Sequence, residues 1–197
     1  MNKYNTDNAV VIMAVLTLCF ITFAVETDIY VPAFPEMLDA FGVTENKIQS
    51  VLSVNFLGIC IGCLFFGPLS DSFGRRLVLL LGLGIFSFAS LGSVLIEEFE
   101  QLVLFRLIQG VGAGSILAVS SAAIFDRYDA STSAKMLGFL NSIVTMAIGI
   151  APIIGALLTV VFGWRSVFFL VFLLGVTSLI FTFFFLGESH HKPDRKE

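Results

Sequence analysis

Two long apolar stretches joined by a short polar segment constrain the fold of this chain more than any other feature. Residues 48–66 and 77–96 are almost entirely apolar or small, and the ten residues GPLSDSFGRR lie between them. Each stretch is long enough to cross a bilayer as a helix. Because so few residues separate the two, the second helix must turn straight back beside the first. We expect Gly67 and Pro68 to end the first helix and Gly74 to permit the turn.

The composition of the whole chain is that of an integral membrane protein. Of its 197 residues, 57% are hydrophobic and 13% charged, and the mean hydropathy is +0.96, whereas a soluble domain is about 25% charged. The apolar runs are about twice as long as a barrel strand and do not alternate, which favours helices. We predict an all-α membrane protein with six spans, at residues 9–33, 48–67, 77–96, 100–125, 136–161 and 165–186. Residues 1–8 and 187–197 are predicted to be polar cytoplasmic ends.

The distribution of basic residues predicts the orientation in the membrane. With both termini in the cytoplasm, eight lysines and arginines fall inside and only Lys47 and Arg165 fall outside, as the positive-inside rule requires. The first apolar run lacks a basic n-region and a clear cleavage site, so we interpret it as a retained helix. A net charge of −4 without a basic patch gives no indication of a nucleic-acid partner.

The first span carries two acidic residues, Glu26 and Asp28. Ionisable residues within a span are rare and usually functional. Two positions along a helix correspond to about 200°, so one carboxylate could face a cavity while the other contacts a neighbour or the outer interface. The alternative is that both lie at the outer interface. Pro32 and Pro35 are expected to kink or end the helix close to Asp28.

The fourth span contains a charged residue, Arg106, about two turns from its outer end. The first span runs outward and the fourth inward, so Asp28 and Arg106 fall at comparable depths. Our hypothesis is that they face one cavity and interact electrostatically. The alternative is that Arg106 extends outward to an acidic loop. Gln109 lies on the same helix face as Arg106, and Asn141 is the fifth-span polar residue expected to face the cavity.

Small residues predict close contacts between helices. G-x-x-x-G patterns begin at Gly58 in the second span and at Gly110 in the fourth, and such patterns let helix backbones approach closely. In the fifth span Pro152 lies between Gly149 and Gly155, which predicts a kinked helix with a small-residue contact surface.

Other residues that could carry chemistry have simpler interpretations. Cys60 and Cys63 match C-x-x-C, but within an apolar run we interpret them as packing residues. His190 and His191 lie in a charged tail without further ligands nearby, which is typical of solvated residues. We expect no metal, no cofactor and no enzymatic activity, because no nucleophile–base pair is evident.

Four motifs together resemble the N-terminal six-helix half of a major facilitator superfamily transporter. The polar segment is similar to the superfamily signature G-x-L-x-D-x-x-G-R-R/K between helices two and three, with matches at Gly67, Leu69, Asp71, Gly74, Arg75 and Arg76. The fourth span resembles the signature of proton-coupled drug antiporters, with matches at Arg106, Gln109, Gly110 and Gly112. The fifth resembles their hinge signature, departing from it at Ala151 and Ala156. The segment from Asp28 to Pro35 resembles the bicyclomycin-resistance (Bcr/CflA) branch.

This resemblance implies alternating access between two six-helix bundles, with proton influx driving export of a small lipophilic or cationic drug across a bacterial inner membrane. It assigns proton coupling or cation recognition to Asp28, and to Arg106 the response to it. Glu26 lacks a secure counterpart and remains a cavity candidate. Asp71 and Arg75 would brace the closed cytoplasmic side. The hinge would be formed by Gly149, Pro152 and Gly155.

The resemblance covers one half of such a transporter. Transporters of this kind place the substrate site between two pseudo-symmetric halves. Three explanations stay open: the chain is a fragment, it assembles with a second six-helix half, or it forms a homodimer. The alternative function is that of a transport-inactive membrane protein or an interaction partner of a full-length transporter.

Overall fold

The computed structural model describes residues 6–187, and this part of the chain is helical throughout, with short connections. The helices are α1 (Thr6–Asp28), α2 (Phe34–Phe41), α3 (Glu45–Phe73), α4 (Arg75–Leu95), α5 (Phe99–Phe125), α6 (Ala130–Phe162) and α7 (Arg165–Phe185). A 3-10 turn at Val31–Ala33 joins α1 to α2. The predicted polar ends at 1–8 and 187–197 lie largely outside the described residues.

Six helical segments in the described part are long and apolar enough to cross a membrane, which confirms the predicted spans to within several residues. The first of these segments, Val10–Phe41, includes α1 from Val10 onward and all of α2. The chain is therefore a multi-pass, all-α membrane protein.

The first span is interrupted where its prolines predict. α1 ends at Asp28, and Pro32 lies in the 3-10 turn that follows. Pro35 does not stop the chain from becoming helical again, because it occupies the first turn of α2, where a missing N–H costs no intrahelical bond. α2 ends at Phe41 and is capped by Gly42, whose φ of 61° is left-handed.

The turn between the second and third spans is tighter than the sequence predicted, and the expected break at Gly67 and Pro68 is wrong. α3 continues through Pro68 to Phe73, and Gly74 alone separates it from α4, with φ 98° and ψ 143°. A proline removes only one intrahelical hydrogen bond. The last turn of α3 gains another one, because the Ser70 hydroxyl donates to the Gly67 carbonyl at 2.7 Å. The reversal of direction therefore depends on Gly74, whose backbone conformation disfavours other residues.

α5 is the central helix of the bundle and packs against α1, α3, α4 and α6. Its contact with α3 is made through the predicted glycine patterns: a Cβ at Gly58 would meet the Leu107 carbonyl oxygen, and one at Gly110 would meet the Asn55 carbonyl oxygen. These positions admit glycine only, because the opposing atoms are backbone.

Among the membrane-spanning helices, α3 and α6 have the smallest fraction of residues buried against the rest of the described chain, and α5 has the largest. α6 stays helical through Pro152, and its contact with the first span is made at Gly155, where a Cβ would meet the Ile29 carbonyl oxygen. Much of the apolar surface of α3 and of α6 is therefore left uncovered by the described part of the chain.

Candidate functional site

A charged pair lies in the interior of the bundle. Arg106 Nη1 on α5 is 3.2 Å from Glu26 Oε2 on α1, and both side chains are completely buried. A charge within a membrane bundle is costly unless it is paired. The two helices therefore meet across a buried salt bridge.

The acidic partner of Arg106 differs from the prediction. The only salt bridge that Arg106 makes to a described residue is with Glu26, so the expected pairing with Asp28 is not found. Asp28 is half-buried at the end of α1, where its Oδ2 accepts a 2.9 Å hydrogen bond from the Thr27 hydroxyl. The reason is rotational: two residues span about 200° of helix, and the face of α1 that packs against α5 carries Glu26. The complete burial of Arg106 also excludes its extension to the acidic loop.

A chain of hydrogen bonds continues from Arg106 to α4. Arg106 Nη1 donates to Gln109 Oε1 at 2.7 Å, and Gln109 Nε2 donates to Ser90 Oγ at 2.9 Å. Ser90 in turn donates to the Phe86 carbonyl at 2.7 Å. The predicted shared face of Arg106 and Gln109 is confirmed, and Ser90 extends the polar site onto a third helix.

Two aromatic rings cover the guanidinium group. Arg106 Cζ lies 4.0 Å from the ring centroid of Tyr30 and 5.9 Å from that of Phe168 on α7. The two rings are stacked on each other with a centroid separation of 5.9 Å. Cation–π contacts of this kind are strongest where water is excluded. Sequence reasoning missed both rings, although Tyr30 follows Glu26 by four positions, a spacing that places them on one helix face.

Unused hydrogen-bonding capacity is concentrated in this cluster. Among the described residues, no donor meets hydrogen-bond geometry to either carboxylate oxygen of Glu26, and Arg106 Nε, Arg106 Nη2 and the Tyr30 hydroxyl likewise have no partner in hydrogen-bond geometry. Buried polar groups are almost always satisfied, so a group of exceptions calls for an explanation such as a functional role. Beside its ion pair, the cluster therefore has hydrogen-bonding positions that a proton or a polar ligand group could use.

Other predicted site residues lie outside this cluster. Asn141 is exposed on α6 and does not join the cluster. In the predicted hinge, Gly149 is exposed and has open space beside it, whereas Gly155 is buried against Ile29. Asn55, interpreted from sequence as a packing residue, is buried and donates to the Arg106 carbonyl at 3.2 Å.

A second polar cluster lies at the end of the bundle where α3 turns into α4. Arg75 Nη2 is 2.5 Å from Asp71 Oδ1, and Arg75 Nε is 2.7 Å from Asp126 Oδ2 at the end of α5. Arg75 Nη1 also donates to Ser70 Oγ at 2.5 Å. Sequence reasoning missed Asp126, which contributes from another helix. One guanidinium thus joins the ends of three helices.

The neighbouring arginine is directed towards the last helix. Arg76 Nη2 donates to the Phe183 carbonyl at 2.6 Å, and its guanidinium lies 5.4 Å from the Phe183 ring centroid. Adjacent arginines in the predicted loop motif therefore hold different helices, α5 and α7.

Comparisons with known proteins agree with this architecture. The chain is 29% identical over 168 residues to a bicyclomycin resistance protein homolog of Haemophilus influenzae, covering 85% of this chain and 42% of that protein. It is 37% identical over 142 residues to a chloramphenicol resistance protein of Pseudomonas aeruginosa, covering 72% and 34%. It is 32% identical over 162 residues to the multidrug resistance protein MdtL of Vibrio parahaemolyticus, covering 82% and 41%. The chain spans less than half the length of these relatives.

Solved structures show the same fold. The proton:xylose symporter XylE superposes with a TM-score of 0.80 at 20% identity, over 91% of this chain and 45% of that one. The human organic anion transporter TETRAN superposes with a TM-score of 0.73 at 21% identity, over 91% of this chain and 48% of that one. A family model described as Major Facilitator Superfamily matches residues 16–197. The chain therefore belongs to the major facilitator superfamily.

Proposed function

We propose that this chain forms the N-terminal six-helix half of a proton-coupled exporter of small lipophilic or cationic drugs. The proposed location is a bacterial inner membrane, with both termini in the cytoplasm. The names of the relatives, which refer to bicyclomycin, chloramphenicol and multidrug resistance, support the substrate class. The buried pair of Glu26 and Arg106 is the single observation that carries the mechanism.

The pair could exchange one positively charged partner of Glu26 for another, because the carboxylate carries a single negative charge. Glu26 can be neutralised by Arg106, by a proton or by a cationic substrate, and each of these excludes the others on electrostatic grounds. A proton on Glu26 would release Arg106, which keeps its hydrogen bond to Gln109. Binding of a proton and binding of a cationic drug are thereby coupled through one residue.

The rings of Tyr30 and Phe168 suit a lipophilic substrate. They already contact one cation, the Arg106 guanidinium, at 4.0 and 5.9 Å. A planar or cationic drug that displaced Arg106 would meet the same aromatic faces. Asp28 remains a proposed secondary acid for cation recognition, and Glu26 takes its place as the proposed coupling acid.

The remaining parts of the chain fit alternating access. The uncovered faces of α3 and α6 offer a surface for a second six-helix half or a second copy of this chain. The Arg75 cluster would hold the cytoplasmic side closed while its contacts with Asp71 and Asp126 persist. Gly149, Pro152 and Gly155 are the proposed hinge of α6.

The experiment is pH-driven transport of a fluorescent cationic dye in proteoliposomes that contain the full protein. Glu26→Gln should reduce proton-driven transport at least tenfold while insertion into the membrane is retained. Asp28→Asn removes a carboxylate two residues away, and it should weaken transport of the cationic dye less than Glu26→Gln does, because Asp28 has only the proposed secondary role. Unchanged proton-driven transport by Glu26→Gln would refute the assignment.

A further inference from the structure

An apolar groove on the outer surface of the bundle lies apart from the charged pair. It has a volume of about 450 Å³ and lies between α4, α6 and α7, at the end where α7 begins. Its lining includes Val94, Leu158, Phe162, Phe169 and Leu173, together with one charged residue, Arg165. This volume is within the range of about 300–1,000 Å³ found for small-ligand sites. The groove is therefore large enough for part of a lipid-like molecule.

The groove opens on a surface suited to hydrocarbon. Phe162, Phe169 and Leu173 are 72%, 47% and 44% exposed within this chain. All three belong to membrane-spanning helices, where exposed apolar side chains meet acyl chains.

Arg165 gives the groove a fixed cationic end. Its Nη2 donates to the Ile96 carbonyl at 3.0 Å, and its guanidinium lies 4.3 Å from the Trp164 ring centroid. These contacts use one of the five N–H donors of the guanidinium, and no salt bridge to a described carboxylate engages the others. Glu97 and Glu98 follow Ile96 directly, so the surface near Arg165 also carries negative charge. An anion would therefore be bound by direct hydrogen bonds to the Arg165 guanidinium, because the surrounding surface is not positively charged as a whole.

We propose that this groove binds an anionic phospholipid, with an acyl chain between α6 and α7 and the headgroup phosphate at Arg165. An arginine binds phosphate through paired N–H donors, which a lysine cannot reproduce. The predicted orientation puts Arg165 at the outer interface, where headgroups of the outer leaflet lie. The proposal depends on membrane insertion and on this predicted orientation, and it is independent of the transport activity.

A second groove provides an internal comparison. It lies between α4 and α5 at the same end of the bundle, has a volume of about 240 Å³, and includes Phe88, Gln101 and Phe105 but no charged residue. Its apolar lining would admit an acyl chain but supplies no cation for a phosphate. Selectivity for an anionic headgroup should therefore depend on Arg165 only.

The test is native mass spectrometry of the full protein, released from micelles containing dioleoyl-phosphatidylglycerol or zwitterionic dioleoyl-phosphatidylcholine. We expect one tightly retained phosphatidylglycerol per chain, bound at least tenfold more strongly than phosphatidylcholine. Arg165→Gln should remove this preference. Lys47→Gln, which removes the other cation predicted on the outer side, should leave the preference unchanged.

A change in the apolar lining tests the acyl-chain part of the site. Leu173→Trp fills the groove without altering charge and should reduce retention of phosphatidylglycerol at least fivefold. Leu104→Trp, at an exposed membrane-facing leucine outside both grooves, should have no effect. Equal binding of the two lipids, equal losses with Arg165→Gln and Lys47→Gln, or occupation of the groove by a second polypeptide in cross-linking from Leu173→Cys would each overturn the proposal.

Discussion

Removal of either member of the buried ion pair should strongly destabilise the bundle. At the observed separation of 3.2 Å, the attraction between two unit charges is about 5 kcal/mol at an effective dielectric constant of 20. Loss of one partner from a buried pair costs about 3–5 kcal/mol, because the other charge is left uncompensated. Arg106 would keep its hydrogen bond to Gln109 in Glu26→Gln, so we expect that variant to lose about 3 kcal/mol of unfolding free energy.

The double variant distinguishes a true pair from two independent polar contacts. Glu26→Gln combined with Arg106→Gln leaves no buried charge, so its loss of unfolding free energy should be close to that of either single variant. The interaction free energy should then be about 3 kcal/mol, at the upper end of the range for residues in contact. Two independent contacts would instead give additive losses.

The chain contains its own spectroscopic probe for this cycle. Its single tryptophan, Trp164, is buried, with its ring 5.3 Å from that of Phe41 and 5.9 Å from that of Phe168. Unfolding by denaturing detergent in mixed micelles can therefore be followed by tryptophan fluorescence. Asp28→Asn serves as the control and should cost less than about 1 kcal/mol, as expected for an isosteric exchange at one half-buried hydrogen bond. Additive losses, or a loss with Asp28→Asn equal to that with Glu26→Gln, would refute the reasoning.

Three further predictions concern the rest of the bundle. Gly155→Ala should lower the free energy of unfolding by about 1–3 kcal/mol in thermal melts, because the new Cβ meets the Ile29 backbone. Gly149→Ala has open space around the new Cβ and should raise it by up to about 1 kcal/mol. Equal effects of the two variants would contradict this prediction. Arg75→Lys should lower the free energy of unfolding by about 1–3 kcal/mol, because a lysine cannot contact Asp71, Asp126 and Ser70 in the same geometry. A variant as stable as the parent protein would show that this cluster does not stabilise the bundle. Hydrogen bonds from the Thr132 hydroxyl and from backbone N–H groups hold the pKa of Asp129 below its ordinary value, so its contribution is present at neutral pH and is lost as pH falls through the folded-state pKa. In a pH series of thermal melts, Asp129→Ala should therefore destabilise the protein at pH 7, and the difference from the parent should shrink as the pH is lowered into the acidic range.

The helices and their order were predictable because each depends on a local property of the sequence. A run of about twenty apolar residues defines a span wherever it occurs, and the end of α1 before Pro32 follows from the missing N–H of a proline. The same local rule failed at Pro68, where α3 continues. A proline removes one hydrogen bond, and whether the helix ends there depends on contacts around it. Those contacts include the bond from Arg75 to Ser70, two residues after Pro68.

The identity of the ion pair was predictable only in part, because it depends on helix rotation. The sequence indicates that an arginine in a span needs an acidic partner and that the first span offers two. Which of Glu26 and Asp28 faces Arg106 is decided by how the whole surface of α1 packs against its neighbours. Ser90 and Phe168 come from two further helices, and a single sequence contains no local signal that brings them to Arg106.

The end of α1 connects the charged pair to the proposed hinge. Glu26 is paired with Arg106, Ile29 presents its backbone to Gly155 of α6, and Tyr30 covers the Arg106 guanidinium, all within five consecutive residues. The helix ends inside this interval, at Asp28. A displacement of α6 at Gly155 would therefore act directly on the segment that carries both Glu26, the proposed coupling acid, and Tyr30. Under the proposed function, protonation of Glu26 would remove its pairing with Arg106, and the same five-residue segment would then link the proton-binding residue to the contact with α6.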